Sequence, residues 1–345
     1  MNSMITVNKN IYPDQKVFPK ELMPYSAKES LKWLWRLFFV SRKNPHNIEY
    51  IPKKVTLNKI KPELTLGFFG DIMDIENRRL EIKEDVKNFF YDCDYIIGNL
   101  EGTYYKGKKE TFLDQSINQS IIEAIKTIKA PEKTYLSIAN NHTGDFSESV
   151  FNESIEFLIN EKFNLFGGHL KNNPSTVVIS NEVELTGVTR WSNRKRGFER
   201  AKSIHLIEEE IVSIKNENSH LFKIIFPHWG YENVLYPQKE TKDQGSRLLN
   251  AYDCLVGSHS HCPQPVTLSE DNKICAFSLG NFCFRGTSYL LNRFCWGIIL
   301  KFTLGKSQNG FHEKLVVGEI EWNFVKMSFD SENNVITHIV DEHGV

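Results

Sequence analysis

The chain has 345 residues, of which 40% are hydrophobic and 25% charged, a composition typical of globular proteins. These values exclude a disordered chain, a collagen and a coiled coil, and the net charge of −1 gives no whole-chain case for nucleic-acid binding. Residues 1–62 nevertheless hold twelve basic and four acidic residues, whereas the remainder is acidic. We therefore predict a basic N-terminal extension, residues 1–62, and a main domain, residues 63–345.

The N-terminus shows no targeting signal. Residues 1–14 are polar, and the longest apolar stretch, residues 31–40, is too short and too charged to span a bilayer. The six cysteines include no C-x-x-C pair, which favours free thiols in a reducing compartment. We therefore expect a cytoplasmic protein that can also bind peripherally at the inner membrane surface.

Residues 26–43 contain the first predicted helix. Ser26 and Glu29 have the spacing of a capping box, and apolar side chains then recur on one helical face from Leu31 onward. In one interpretation this helix packs on the main domain. In the other it docks on a membrane surface or a partner, because Trp and Phe beside basic residues favour an anionic interface. Residues 44–62 are predicted to be an irregular basic connector.

From residue 63 onward, short apolar runs recur, and each ends in polar side chains that can bind a metal. The runs are residues 63–69, 95–97, 135–139, 222–226, 254–256 and 274–279. Helices are predicted between several of these runs, over residues 77–92, 117–129, 148–162 and 239–249. Strands that alternate with helices predict an α/β fold with much parallel sheet.

Antiparallel strands are predicted outside this pattern. Residues 176–179 and 183–189 flank a turn and predict a hairpin, and residues 296–340 alternate apolar and polar side chains. In open α/β sheets, ligands gather beyond the carboxyl ends of the parallel strands. We therefore expect the six polar strand ends to meet at one edge.

The polar strand ends supply carboxylate, amide and imidazole groups. The candidate metal ligands are Asp71, Glu101, Asn141, His228, His259 and His261, with Asn99 as an additional candidate. This donor set suits Zn, Mn or Fe rather than Ca or a thiolate site. Two ions joined by a carboxylate would lie about 3.5–4 Å apart, the spacing used in phosphoryl hydrolysis. The residues therefore predict a site for divalent metal ions, with two as the expected number.

At these residues the sequence resembles the bacterial capsule-synthesis family of the CapA (poly-γ-glutamate capsule) type, which is similar to the calcineurin-like metallophosphoesterases. The family's motifs occur in order over about residues 63 to 285. They are Gly70-Asp71-Ile72-Met73, Asn99-Leu100-Glu101, Ala139-Asn140-Asn141-His142 with Asp145, His228-Trp229-Gly230 with Glu232, Gly257-Ser258-His259-Ser260-His261, and Ser278-Leu279-Gly280-Asn281-Phe282.

The resemblance implies a four-layer αββα sandwich of two mixed β-sheets and a role for each site residue. The implied ligands are Asp71 and His261 for one ion, Asn141, His228 and His259 for the other, and Glu101 as the bridge. His142 would protonate the leaving oxygen or hold the phosphate, and Asp145 would orient His142 or cap the next helix. The candidates for substrate binding are Trp229, Glu232, Asn281 and Arg285. For Trp229 two alternatives stay open: stacking on a sugar or base, and packing in the core.

The resemblance further implies a divalent-metal-dependent hydrolase in capsule or cell-surface polymer biosynthesis. A hydroxide activated by the metals would attack phosphorus in an anionic small molecule or polymer. Met73 stands where phosphoesterases place a second histidine, and this departure favours a non-catalytic metal-binding subunit of a capsule-synthesis complex, poly-γ-glutamate or polysaccharide. Such a subunit would dock on partner enzymes or on the membrane through residues 26–43. A γ-glutamyl amide hydrolase is the third interpretation, because hydroxide also attacks carbonyl carbon.

Overall fold

Two mixed β-sheets form the body of the molecule, and each has a central set of parallel strands. The structure is a computed structural model that describes residues 25, 27–109, 111–193, 204–208, 210, 220–286, 294–308 and 314–342. Within these residues the first sheet has ten strands and the second has six, and two further strands form a separate pair.

The strands and helices have the following bounds. The strands are β1 Lys54–Thr56, β2 Ile60–Ile72, β3 Leu80–Ile82, β4 Tyr95–Leu100, β5 Thr103–Tyr104, β6 Ser116–Ile117, β7 Thr134–Ser137, β8 Asn164–Phe166, β9 Thr176–Ile179, β10 Val183–Thr189, β11 Phe222–His228, β12 Cys254–Val256, β13 Val266–Leu268, β14 Ile274–Ala276, β15 Asn281–Cys283, β16 Trp296–Ser307, β17 Val316–Phe329 and β18 Val335–Val340. The helices are α1 Ala27–Phe38, α2 Glu84–Phe89, α3 Gln119–Lys126, α4 Glu148–Asn160 and α5 Lys239–Leu249.

The strand order explains why both sheets are mixed. The first sheet has the order β3-β18-β17-β16-β2-β4-β7-β8, with β1 beside β17 and β15 beside β2. Strands β2, β4, β7 and β8 are parallel, whereas β16, β17 and β18 continue from β2 in antiparallel pairs. The second sheet has the order β13-β14-β12-β11-β10-β9, and β10, β11, β12 and β14 are parallel.

Three apolar clusters divide these elements into four layers. Leu66 and Phe68 of β2 pack with Ile224 and Phe226 of β11 between the two sheets. Helices α2, α3 and α4 cover the outer face of the first sheet, and α5 covers the outer face of the second through Leu248. Because the central strands are buried on both faces, they read as continuous apolar runs in the sequence. The predicted α/β fold, a four-layer αββα sandwich of two mixed sheets, is confirmed.

Several elements lie where the sequence predicts them. Helices α3, α4 and α5 occupy the predicted ranges, and β16 to β18 form the expected antiparallel strands. The predicted hairpin is formed by β9 and β10. Its turn residues Ser180 and Asn181 have φ angles of 52° and 60°, as a tight hairpin turn requires at both central positions.

Two predictions about local structure are wrong. The range 77–92 is not one helix: β3 pairs in parallel with β18, and only α2 is helical. Leu80 and Ile82 are buried while Glu81 is exposed, which is the alternation of an edge strand. The range 44–62 is not irregular throughout: residues 44–53 are, but β1 pairs with β17 and β2 begins at Ile60. The predicted domain boundary at residue 62 lies inside β2.

Helix α1 confirms the predicted N-terminal helix, but its apolar stripe faces solvent. Leu31 and Trp35 are 69% and 65% exposed, and Leu34, Phe38 and Phe39 are also exposed. The opposite side of the helix contacts the main domain through Trp33, whose indole donates to Glu232. No helix in the described part of the chain is long and apolar enough to cross a bilayer.

Candidate metal centre

Polar side chains from both sheets meet where the parallel strands end. Asp71 in β2, Glu101 after β4 and Asn141 after β7 come from the first sheet, and His228 in β11 with His259 and His261 after β12 come from the second. All of them are buried. Asp71 Oδ2 and His261 Nδ1 lie 3.5 Å apart. The structure therefore brings the predicted ligands together in one site.

Glu101 lies among three histidines. Its Oε1 is 3.6 Å from His228 Nε2, 3.7 Å from His261 Nε2 and 3.9 Å from His142 Nε2. The side chain is fully buried, and neither oxygen has a hydrogen-bond partner among the described residues. Burial, followed by the negative charge of Asp71, raises the pKa of Glu101 well above its usual value. A bound cation would relieve both effects.

Asp71 is held by hydrogen bonds on both oxygens. Asn99 Nδ2 donates to Oδ1 at 2.7 Å, and the backbone N–H of His259 donates to Oδ2 at 3.0 Å. Asn99, the additional candidate ligand, therefore contacts Asp71 through its amide nitrogen. Asn140 Nδ2 in turn lies 3.3 Å from Asn99 Oδ1.

Asn141, His228 and His259 form the second part of the site. Asn141 Oδ1 lies 2.7 Å from His228 Nε2, and His259 Nδ1 lies 2.9 Å from the same nitrogen. Burial, and then the neighbouring histidines, lower the pKa values of His228 and His259 well below the usual range. Both rings are therefore neutral at neutral pH, which is the form that binds metals.

The pKa of His261 shifts in the opposite direction. Burial lowers this pKa, but the carboxylates of Glu101 and Asp71 outweigh that effect and raise the pKa to about 10. The positive charge of this ring partly offsets the two buried carboxylates.

In His228, His259 and His261, one ring nitrogen lies within hydrogen-bond distance of a group that can orient the ring. His228 Nδ1 lies 2.9 Å from Ser258 Oγ, His261 Nδ1 lies 3.0 Å from Asn281 Oδ1, and His259 Nε2 lies 2.8 Å from Tyr25 Oη. Such contacts fix the tautomer and the ring orientation of a metal ligand. Burial, followed by the charge of Glu232, raises the pKa of Tyr25, so its phenol keeps its proton.

The predicted proton donor, His142, lies at the edge of this cluster. Its Nδ1 is 2.6 Å from Asp145 Oδ2, and Asn193 Nδ2 is 3.2 Å from the same nitrogen. Asp145 also accepts from the backbone N–H of Gln115. The N-cap of α4 is Ser147, so Asp145 does not cap this helix. Of its two alternatives, the structure shows the contact with His142.

The loop after β12 has a strained backbone. His259 and His261 have φ angles of 92° and 54°, in the left-handed region that non-glycine residues rarely adopt. Such residues cluster at functional sites and persist where the surroundings hold them. The bond from His259 N–H to Asp71 is one contact that holds this loop.

Three of the predicted substrate-binding residues have other contacts. Trp229 is buried against α5, with its indole donating to the Phe277 carbonyl, because successive strand residues face opposite sides of the sheet. Asn281 is fully buried on His261. Arg285 pairs with Asp74 at 3.3 Å. Trp229 therefore packs in the core, the second of its two alternatives, and substrate binding by Asn281 and Arg285 stays a prediction.

Glu232, the fourth of these residues, lies beside the histidines and accepts hydrogen bonds from Tyr25 and Trp33. Tyr25, Ser258 and Asn193 also contact histidines of the site, and none of the three is a predicted site residue. Ser258 lies inside a quoted motif, so its neighbours could have identified it. Tyr25 and Asn193 carry no comparable local signal.

The donor set fits divalent metal ions. Among the described residues, three groups each bring three ligand atoms within 4.8 Å of one another. The groups are Asp71, Glu101 and His261; Glu101, His228 and His259; and Glu232, His259 and His261. Glu101, His259 and His261 each belong to two of these groups. Mixed imidazole and carboxylate ligands suit Zn, Mn or Fe.

Comparisons with known proteins agree with the motifs. The family model described as "Bacterial capsule synthesis protein PGA_cap" matches residues 65–286. The chain is 26% identical over 245 residues to the PGA biosynthesis protein CapA of Bacillus subtilis (strain 168), covering 64% of this chain and 63% of that protein. It is 25% identical over 249 residues to the Capsule biosynthesis protein CapA of Bacillus anthracis, covering 64% and 60%.

The alignments with these curated relatives therefore span less than two thirds of their length. Among solved structures, the calcineurin-like phosphoesterase YfkN from Bacillus subtilis matches with a TM-score of 0.36 and 11% identity, covering 76% of this chain and 91% of that chain.

Proposed function

Because this chain belongs to the bacterial capsule synthesis protein family PGA_cap, we propose that it is a divalent-metal-dependent hydrolase of the phosphoesterase type that acts in capsule or cell-surface polymer biosynthesis. The observation that carries the proposal is Glu101. It is a fully buried carboxylate without a hydrogen-bond partner among the described residues, and the histidines surround it. The charge of His261 offsets the two buried carboxylates only in part, and an incompletely compensated buried charge costs several kcal/mol, so a cation is the natural partner.

The proposed ligands are the residues that the structure brings together. Asp71, Glu101 and His261 would hold one ion, and Asn141, His228 and His259 would hold the second, with Glu101 shared. Divalent ions at such a site supply Lewis acidity and an activated water for phosphoryl hydrolysis. Glu232 is a further candidate ligand through its group with His259 and His261.

His142 is the proposed proton donor. Asp145 holds Nδ1, which leaves Nε2 directed toward the Glu101 side, at 3.9 Å from Oε1. Protonation of a leaving oxygen from Nε2 would assist its departure, and positioned general acids contribute roughly 10²–10⁴-fold to rate. Asp145 acts through His142 and is a positioning residue.

The test is turnover by the Mn- or Zn-loaded protein on a panel of phosphomonoesters, phosphodiesters and γ-glutamyl amides. We expect hydrolysis of a phosphoester, and we expect His142→Ala to lower kcat by about 10²–10⁴-fold with unchanged metal content. An inert loaded protein would contradict the proposal. Cleavage of the amides alone would support the amide-hydrolase alternative.

The second candidate is a non-catalytic assembly subunit, and two observations favour it. Met73, which replaces a histidine of the phosphoesterases, packs in the apolar cluster under the helices. The apolar stripe of α1 is exposed, and the exposed Lys28 and Lys32 flank it. Aromatic and basic residues together suit an anionic lipid surface, which is the binding surface we propose for α1.

The proposed binding of α1 to an anionic lipid surface is tested by sedimentation with vesicles of phosphatidylglycerol and phosphatidylcholine. The triple variant Leu31→Ser, Leu34→Ser, Trp35→Ser should lose binding to the anionic vesicles, whereas Tyr91→Ser, at an exposed aromatic elsewhere, should not. If the unmodified protein binds no vesicles, a lipid-docking role for α1 is contradicted. Dimerisation through α1 would then account for its apolar stripe instead.

A further inference from the structure

Tyr25 lies directly before α1 and inserts into the candidate metal centre. Its side chain is only 1% exposed, and its ring packs edge-on against Trp191, with the ring centroids 4.9 Å apart. Its hydroxyl oxygen lies 2.8 Å from His259 Nε2 and 3.0 Å from Glu232 Oε1. One phenol group therefore joins a carboxylate to a candidate metal ligand.

The hydrogen-bond inventory determines which way the protons point. A phenol has a single O–H to donate, and a carboxylate can only accept, so Tyr25 donates to Glu232. Its oxygen is then left to accept from His259 Nε2–H. This assignment, which follows from the network, places the ring proton on Nε2 and leaves a lone pair on Nδ1. His259 Nδ1 is the atom that faces His228.

The other two histidines of the site have equivalent partners. Ser258 contacts the Nδ1 atom of His228, and Asn281 contacts the Nδ1 atom of His261. Both partners lie within residues 65–286, the region matched by the family. Tyr25 lies outside that region. The partner that orients His259 therefore comes from the N-terminal extension, whereas the partners of His228 and His261 come from the matched region.

The extension is attached to the loop that carries Glu232. The Trp33 indole donates to Glu232 Oε2, so both carboxylate oxygens accept from the extension. Ser41 and Asn233 are joined by a backbone hydrogen bond of 3.0 Å, and Leu235 N–H donates to the Ser41 carbonyl at 2.9 Å. These contacts hold Tyr25 in place beside His259.

We propose that Tyr25 and Glu232 form a hydrogen-bonded relay that orients His259 as a metal ligand, so that the N-terminal extension completes the metal centre. This inference rests on the proposed metal-dependent function. Outer partners of metal-binding histidines fix the ring and its tautomer, and their loss costs about 10–100-fold in metal affinity. Tyr25 is thus a positioning residue.

The same contacts could instead keep metal out, because the hydroxyl lies between Glu232 and His259, two members of one candidate ligand group. The two roles predict effects of opposite sign. Removal of the hydroxyl weakens metal binding if Tyr25 orients the ring, and strengthens binding if Tyr25 blocks the site.

The experiment compares the unmodified chain, Tyr25→Phe and the control Tyr252→Phe, each freed of metal and titrated with Co²⁺. Tyr252 is also buried and also donates to a glutamate, Glu210. Calorimetry gives the Kd and the number of sites, and visible absorption reports the Co²⁺ ligand field. Thermal unfolding of the metal-free proteins checks that all three are folded.

We expect Tyr25→Phe to raise the Kd of at least one site by about 10-fold or more and to change the Co²⁺ spectrum, with Tyr252→Phe unchanged. Equal or tighter binding by Tyr25→Phe would overturn the relay while leaving the metal centre standing. A wild-type chain that binds no Co²⁺ would overturn the metal centre, and the relay with it.

Discussion

At the scale of single residues, the site concentrates groups that are costly to bury. Glu101 and Asp71 are both fully buried, and His261 is the neighbouring ring that carries the compensating charge. Asp71 has hydrogen bonds on both oxygens, whereas Glu101 has none among the described residues. Of the two carboxylates, Glu101 is therefore the one that a bound cation would stabilise more.

The substitution Glu101→Gln tests whether a bound cation stabilises the protein through this carboxylate. In chelator-treated protein we expect the substitution to leave the free energy of unfolding unchanged or to raise it by about 1–3 kcal/mol, because a buried carboxylate without a hydrogen-bond partner becomes a neutral amide. With Mn²⁺ at 100 times its Kd, the unmodified chain should gain about 2.7 kcal/mol, and the variant should gain less. Urea unfolding with and without Mn²⁺ measures both, and an equal gain for the two proteins would contradict the assignment.

Which site residues could be predicted depends on their position in the chain. His228 and Glu101 follow apolar runs directly, so the strand pattern places them at a sheet edge. Of the two alternatives for Trp229, the structure shows core packing, because neighbouring residues at the end of a strand point to opposite faces of the sheet. Tyr25 is 234 residues from His259, and no periodic pattern connects them.

At the scale of elements, buried parallel strands were easier to predict than edges. The central strands are apolar throughout, since both of their faces are covered. The edge strand β3 has only three residues, and its pairing with β18 depends on a segment more than 250 positions later. A helix pattern over 77–92 was therefore overridden by a contact that the local sequence does not contain.

The hairpin between β9 and β10 offers a test at this scale. Asn181 has a φ of 60°, a conformation that asparagine tolerates and β-branched residues do not. We expect Asn181→Val to lower the free energy of unfolding by about 1–2 kcal/mol. The control Asn181→Gly should be neutral or slightly stabilising, since glycine adopts this backbone without strain. Urea denaturation measures both, and an unaffected valine variant would show that the turn has another conformation.

At the scale of the whole molecule, the site lies between the two sheets. Asp71 and Glu101 belong to the first sheet, and the three central histidines belong to the second. Their distances therefore depend on the apolar cluster that holds the sheets together, including Phe68 and Phe226. The α/β class could be predicted from alternating elements, but the mutual placement of two sheets came from the family resemblance.

The six cysteines test the packing of these layers. All six are free and buried, and burial raises the pKa of Cys93 and Cys262 to about 12. Because the thiolate is the reactive form, the native protein near pH 8 should react with Ellman's reagent at least about 100-fold more slowly than the urea-unfolded chain. Raising the pH toward 9 should accelerate the unfolded chain and leave the native protein slow. One rapidly reacting thiol in the native protein would contradict this packing.

Metal content tests the central claim most directly. The protein should be purified without chelator and its Mn, Fe and Zn measured by elemental analysis, beside the Glu101→Gln variant prepared in the same way. We predict about two equivalents of divalent metal in the unmodified chain and a clear loss in the variant. The absence of metal from the unmodified chain, together with no stabilisation on adding Mn²⁺ or Zn²⁺, would contradict the account.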